Sequence, residues 1–436
     1  MSPKKTKTIE VDYLARVEGE GGLTIKLKDG RATSVELAIF EPPRFFEALL
    51  VGRSWREPPD ITSRVCGICP VAYLLSSCHA IEDALGITVD PEVRALRRLL
   101  YAGEWIESHA LHVFLLHLPD FLGHPDALSM AKASLEYREL LQRGLRIKRA
   151  GNAIVTQMGG RAIHPVNVRV GGFYRAPTRA ELETLLPELR WARDAARETV
   201  AWLGKLTFPE LERDYELVAL HHPDEYACCE GRLVSSRGLD IPVREFEAHL
   251  VEEQVPYSTA LRSVRRGAGA YLCGPLARFN LSFAQLSEVA REAAIAAGVT
   301  PPCHNPFKAI VVRAVEILHA FTVAMGVIEH YTPPARPFVE VPLRSAIGFG
   351  CTEAPRGALY HRYEIGADGL IRSAQIVPPT AQSLHAIEED LAAIAPRLAT
   401  LPRAEATRLA ERVVRSHDPC ISCATHFLRL RLEEEP

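Results

Sequence analysis

The chain has 436 residues, with 51 basic against 54 acidic side chains and a formal net charge of −3 when histidines are neutral. That balance, with no basic run of five or more, excludes a nucleic-acid binder driven by a basic surface. Hydrophobic residues at 47% and charged ones at 24% fit a globule with a large core, and neither a spanning run of roughly 18 apolar residues nor a secretory signal is expected.

Taken in chain order, residues 8–41 read as a small sheet. Thr8–Val11 leads into the glycines at 19, 21 and 22, Leu23–Lys28 alternates, Asp29-Gly30 is a two-residue hairpin turn, and Ala32–Phe40 returns. A short helix over Phe45–Val51 precedes Cys66-Gly-Ile-Cys69. Residues 42–340 read as a mainly helical body. Helices are expected over Ala72–Leu85 (stopped by Gly86), Pro91–Leu118, Pro125–Ala150, Thr178–Leu206, Leu281–Ala297 and Pro306–Met325. In Pro91–Leu118, Leu96, Leu99, Gly103, Ile106, Ala110 and Val113 share one face. Thr178 and Glu181 form a capping box. Between these helices, Gly159-Gly-Arg161, His164-Pro165 and Gly171-Gly-Phe173 mark a glycine-rich loop. Residues 341–426 turn to strands at Ser345–Gly350, Leu359–Ile365 and Leu370–Val377. Helices at Ala381–Ile394 and Arg403–Arg415 lead to Cys420-Ile-Ser-Cys423. With no repeat or low-complexity linker, residues 1–426 read as one α+β unit, mainly α with small β-sheets, and 427–436 as an extension.

Ten cysteines are too few for a disulfide scaffold of this length and fit a reducing compartment. Four of them form the two Cys-x-x-Cys pairs, and each pair puts two sulfurs within chelating reach. A single pair could be a redox dithiol. Two pairs point to a tetrathiolate site, holding either a structural zinc that staples the ends together or a redox metal. The neighbouring charges of Arg64, Asp418 and His426 favour chemistry over stapling. His109, His112 and His117 recur along one amphipathic helix and read as packing. Cys228-Cys229 reads as structural.

Arg64-Val-Cys66-Gly-Ile-Cys69 together with Asp418-Pro-Cys420-Ile-Ser-Cys423-Ala-Thr-His426 resembles the paired signatures of the large subunit of nickel–iron hydrogenases. Arg16-Val-Glu18-Gly19, Gly159-Gly-Arg161-x-x-His164-Pro165 and Ala354-Pro-Arg356-Gly357 resemble further segments of that family, in the family's order. Two positions depart from it: Tyr73 and Glu20 stand where the family often has histidine. Tyr73 and the compact length look most like the cytoplasmic, multi-subunit NAD(P)-linked class.

The resemblance implies that class of fold, a helical body with the N- and C-terminal segments meeting at the metal site. It implies that Cys66 and Cys420 bind nickel terminally and that Cys69 and Cys423 bridge nickel to an iron carrying carbon monoxide and cyanide. Dihydrogen would be split heterolytically, with Cys420 as base and Glu18 passing the proton on. Arg356 would stand over the metals, held by Asp418 and Asp120. Glu47 and His426 would bind a second ion, magnesium or a similar divalent cation. Six cysteines remain without a cluster pattern, so no iron–sulfur cluster is expected in this chain. A small iron–sulfur subunit and flavin/NAD(P) diaphorase subunits are the implied partners, with nickel-insertion factors and an endopeptidase that removes residues 427–436 after His426. A dihydrogen-sensing homologue, a quinone-site relative (which lacks the paired cysteines) and a zinc-stapled structural protein are the alternatives.

Overall fold

The computed structural model describes residues 6–425. His426 and the 427–436 extension therefore lie outside the described residues. The chain is 49% helical and 19% strand, as the expected α+β class requires.

Strands β1 (Thr6–Val11), β2 (Gly21–Lys28) and β3 (Arg31–Ile39) form an antiparallel meander in which Ile9 faces Ile25 and Ile25 faces Val35. Asp29 and Gly30 both take positive φ, 51° and 78°, as a tight hairpin turn matched to strand twist demands. The buried face of this sheet (Ile9, Leu23, Ile25, Leu37) shares one core with Leu384, Leu391, Leu409 and Val413 near the other end of the chain. Apolar burial thus brings the first strands onto the last helices.

The body is built on α1 (Pro70–Leu85), α2 (Pro91–Ala110), α3 (Leu135–Gly159), α4 (Leu186–Leu203) and α5 (Ala309–Glu329), with α2 packed on α3 and α5, and α5 on α4. By length and composition the α5 segment could cross a membrane, but 78% of its apolar window is buried inside the protein. Gly86 ends α1 in the left-handed conformation, φ 68°.

Several expected helices are interrupted. The 91–118 helix widens into a π-helical turn at Leu111–His117 just before Pro119, which lacks a backbone N–H. The 125–150 helix breaks at extended Ser134, whose hydroxyl accepts the Tyr137 N–H at 3.1 Å and starts α3. The Thr178 capping box is present, but the helix stops at Glu183 and α4 restarts with Pro187 in its first turn. The 281–297 helix is two, Pro275–Ser282 and Glu288–Ala296. The stretch expected to be mainly helical also holds strands at Val218–His221, Arg232–Ser235, Asp240–Ile241, Leu250–Gln254 and Leu261–Arg265. Each has at most five residues, too short for an alternating pattern to stand out.

Toward the C-terminus, β4 (Ala346–Ala354), β5 (Gly357–Ile365) and β6 (Ile371–Val377) form a second meander, followed by α6 (Pro379–Ala393) and α7 (Arg403–His417). β4 lies against α1 with almost no space between the backbones. A Cβ at Gly350 would come within 2.4 Å of the Ser76 carbonyl oxygen. Pro355 and Arg356 make the two-residue turn between β4 and β5, since Ala354 pairs with Gly357.

Candidate metal centre

Each cysteine pair sits where regular structure begins or ends. Cys66 is extended after a short 3-10 turn, and Cys69 immediately precedes α1, with Pro70 at its first position. Cys420 follows α7 and a left-handed Asp418 (φ 56°), and Cys423 lies in the short turn Ile421–Ala424. A parallel bridge joins Glu18 to Cys420, with the Ile421 N–H donating to the Glu18 carbonyl at 2.9 Å. This bridge brings the N-terminal motif onto the C-terminal one, across 400 residues of chain.

The four sulfurs are buried and all lie within 4.8 Å of one another. Cys66 faces Cys420 at 3.4 Å, Cys69 faces Cys423 at 3.6 Å, and Cys420 lies 2.8 Å from Cys423. Among the described residues this is the one cluster of three or more Cys, His, Asp or Glu able to hold an ion. Hydrogen bonds from Cys420, Cys423 and Cys69 draw the Cys66 thiol well below its usual range, whereas burial pushes Cys420 and Cys423 up. One thiolate is thus stabilised by its neighbours, and further ones need positive charge. A bound metal cation supplies it, so the donor set fits a soft metal.

Glu18 and Arg356 border the cluster. The Glu18 Oε2 accepts from the Cys420 thiol at 3.0 Å and from the Ser422 N–H at 3.1 Å. Burial and the Cys66 charge push the Glu18 carboxyl up, partly offset by those hydrogen bonds and by Arg356. The buried Arg356 guanidinium donates to the Asp418 carbonyl (2.7 Å) and carboxylate (3.0 Å), and to the Ser108 hydroxyl (3.3 Å). Burial opposes its charge, but Asp418 and the cysteines outweigh burial and hold its pKa above the ordinary value. Asp418 is held low by Arg356 and Arg313 against its own burial.

Asp418 therefore orients Arg356 as expected. Asp120 does not: its carboxylate is taken by Arg16 and by Arg415 at 2.8 and 3.0 Å, which ties the N-terminal turn to α7. Arg64 pairs with Asp60 at the surface, 2.8 Å away. Glu47 is partly buried on the Phe46–Leu50 helix and accepts the Ile376 N–H at 2.7 Å. Its proposed co-ligand His426 is outside the described residues. The helix histidines are packing and hydrogen-bonding groups: His109 contacts Glu316 at 2.9 Å, His112 the Arg415 carbonyl at 2.8 Å, and His117 stacks edge-on against Phe121.

The sequence reading passed over four supporting groups. Glu104 accepts the Val71 and Ala72 N–H groups at 2.6 and 3.0 Å, capping α1 beside Cys69. Arg313 reaches Asp418 at 3.4 Å. Thr380 accepts the Cys420 N–H at 2.9 Å, and Glu41 accepts the Ser422 hydroxyl at 3.0 Å. For Glu104 and Arg313 a signal existed, because each is a charge inside an otherwise apolar helical run, and buried charges require partners.

The comparisons with known proteins agree with this geometry. A family model described as nickel-dependent hydrogenase matches residues 44–143 and 308–426. Sulfhydrogenase 1 subunit alpha of Pyrococcus furiosus is 34% identical, with 97% of this chain and 98% of that protein covered. Sulfhydrogenase 2 subunit alpha of the same organism is 35% identical, with coverage of 97% and 100%. Among solved structures, an NAD+-reducing [NiFe]-hydrogenase in the H2-reduced state superposes with a TM-score of 0.86 at 28% identity, covering 96% of this chain and 99% of the other.

Proposed function

The chain belongs to the nickel-dependent hydrogenases, as the catalytic large subunit of a nickel–iron enzyme, and on that premise we propose how its residues divide the work and where the electrons go. Cys66, Cys69, Cys420 and Cys423 would together hold the nickel and an iron carrying carbon monoxide and cyanide. When bound, this centre supplies the redox chemistry that splits dihydrogen into protons and electrons. The observation that carries this reading is the buried four-cysteine cluster with a carboxylate hydrogen-bonded to it and a guanidinium whose charge interacts with its sulfurs.

Cys420 is the base, and its proton passes to Glu18. Its Sγ donates to Glu18 at 3.0 Å; the Ser422 N–H holds the Glu18 carboxylate in place, and the Ser422 hydroxyl donates to Glu41. Glu41 and Ser422 line an open cleft of about 640 Å³ with Tyr13, Arg16 and Glu20. Arg356, clamped by Asp418, presents a fixed positive charge to the thiolates and polarises what binds beside them. Glu47 and His426 would hold a divalent cation, magnesium by the hardness of the carboxylate donor.

Electrons leave to a small iron–sulfur subunit, a partner implied by the alpha-subunit relatives. Its docking face includes Ile163 and Val166, 56% and 49% exposed on the loop whose His164 ring is hydrogen-bonded to the Ser63 carbonyl, beside the first cysteine pair. Flavin and NAD(P) subunits follow, a reading supported by the likeness to the NAD+-reducing enzyme. Maturation cleaves the chain after His426. The test is nickel and iron analysis of the purified complex, infrared spectra of iron-bound carbonyl and cyanide, and dihydrogen-dependent reduction of NAD+, NADP+ or an artificial redox dye. Equimolar nickel and iron with those infrared bands and pyridine-nucleotide reduction are expected. Zinc without nickel, and no bands, would overturn the metal assignment. Activity with the dye and with neither pyridine nucleotide would overturn the acceptor.

A further inference from the structure

Cys228 and Cys229 lie away from the metal centre, just before the Arg232–Ser235 strand, with their Sγ atoms 3.4 Å apart. Both are free thiols, Cys229 buried and Cys228 partly exposed. Cys228 lines a cavity of about 20 Å³ with Arg98, Trp105, Tyr226 and His319, room for one water-sized molecule. The hydrogen bond from Cys229, with the charges of Arg98 and Arg94, holds the Cys228 thiol below its ordinary range, whereas Cys229 is pushed up. A partly exposed thiol whose ionisation its surroundings favour, 3.4 Å from a second thiol, is the arrangement of a peroxide-reactive cysteine with its resolving partner.

We propose that Cys228-Cys229 is a modification site for hydrogen peroxide, closing to a disulfide between adjacent residues. The Cys228 thiolate attacks one peroxide oxygen, the O–O bond breaks, and the departing hydroxide leaves as water after taking a proton. Cys228 is then a sulfenic acid. The Cys229 sulfur attacks it, the S–O bond breaks, the S–S bond forms, and the thiol proton leaves with the hydroxide as a second water. One peroxide is reduced to two waters, and two thiols are oxidised to one disulfide.

The site is coupled to the catalytic turn through one peptide. Adjacent Cα atoms are about 3.8 Å apart, closer than the roughly 4.4 Å lower bound of ordinary disulfides. The ring therefore closes only by twisting the intervening peptide, and the strained bond is readily reduced again. The carbonyl of that peptide, on Cys228, accepts the Glu353 N–H at 2.7 Å. Arg278 ties the Glu353 carboxylate (2.8 Å) to the Ala354 and Pro355 carbonyls (2.9 and 3.0 Å). Arg356 is the next residue. Oxidation removes a hydrogen bond at the base of the turn that carries Arg356, and slows turnover. This coupling rests on the role given to Arg356 above; the modification itself does not.

The test treats the assembled complex with a few equivalents of hydrogen peroxide and measures the mass of the peptide holding both cysteines. That peptide is expected to be lighter by two hydrogens, to resist iodoacetamide, and to recover with a thiol reductant. The C229S variant traps Cys228 as its dimedone adduct. Dihydrogen oxidation falls by at least about twofold in a thiol-reversible fraction that the C228S/C229S variant lacks. Alkylation of both sulfurs after peroxide, or only sulfinic and sulfonic products, overturns the site. A reversible disulfide with unchanged turnover overturns the coupling. The mass readout does not depend on nickel, so these failures are distinct from failure of the metal assignment.

Discussion

A carboxylate beside four thiols lowers its energy by taking a proton or by finding a cation, and Glu18 has access to both. Its contact with Cys420 is the basis for the proposed role as first proton acceptor. Glu18→Gln should cut hydrogen–deuterium exchange between dihydrogen and water by at least about 100-fold with nickel content unchanged. Normal exchange in that variant removes Glu18 from the path. Arg356→Lys keeps the charge but cannot bridge Asp418 and Ser108 together, and turnover should drop about 10- to 100-fold. A wild-type rate would leave Arg356 as a structural turn residue. Glu107 gives a pH signature. Burial pushes its carboxyl up to about 7 from 4.5, although Lys148 stands 3.8 Å away. The folded protein keeps this proton at pH values where the unfolded chain has shed it. Stability from this group is therefore present below pH 4.5 and lost as pH rises through 7. Glu107→Gln should remove that slope, gaining at most about 3 kcal/mol at pH 8 and almost nothing at pH 4.5 in chemical denaturation. Parallel pH profiles for the two proteins would refute the shift.

Among the elements, the α1–β4 contact leaves the least room. Gly350→Ala sets a methyl group against the Ser76 carbonyl and should cost about 1–3 kcal/mol, read as a lower denaturation midpoint with an unchanged slope. An unchanged midpoint would mean that the strand can lift off the helix. The same elements show what the sequence made legible. The β1–β3 sheet could be read because Asp29-Gly30 is an unambiguous turn between alternating runs, and the end of α1 because Gly86 stops it; its start lies two residues before the expected Ala72, at Pro70. The breaks at Ser134 and Pro187 were masked by apolar periodicity that runs on through them. In the site, spacing alone identified the cysteines, and the chain neighbourhood of Cys420 identified Asp418. Asp120 was assigned to the wrong arginine because nothing in a sequence says which of Arg16, Arg356 and Arg415 will come within its reach.

At the scale of the whole molecule, the metal centre joins three distant segments: Glu18 beside β2, the turn before α1, and the turn after α7. Metal binding to such a site is folding energy for all three. The metal-free chain should melt at least about 5 °C below the loaded one, with amide protection lost first in β1–β3 and in residues 418–425. Equal melting temperatures would show that the apolar core between that sheet and α6–α7 closes the ends without help. The Glu18–Cys420 bridge also sets a timetable for synthesis. A ribosome releases Cys69 351 residues before Cys420, so at 5–20 residues per second the first pair waits roughly 20 to 70 s for the second. For that interval the nascent chain offers only two of the four metal-site thiols and no nickel pocket, open to zinc, copper or oxidants. Protection of that half-site during translation is as much a requirement of this architecture as the delivery of nickel after it.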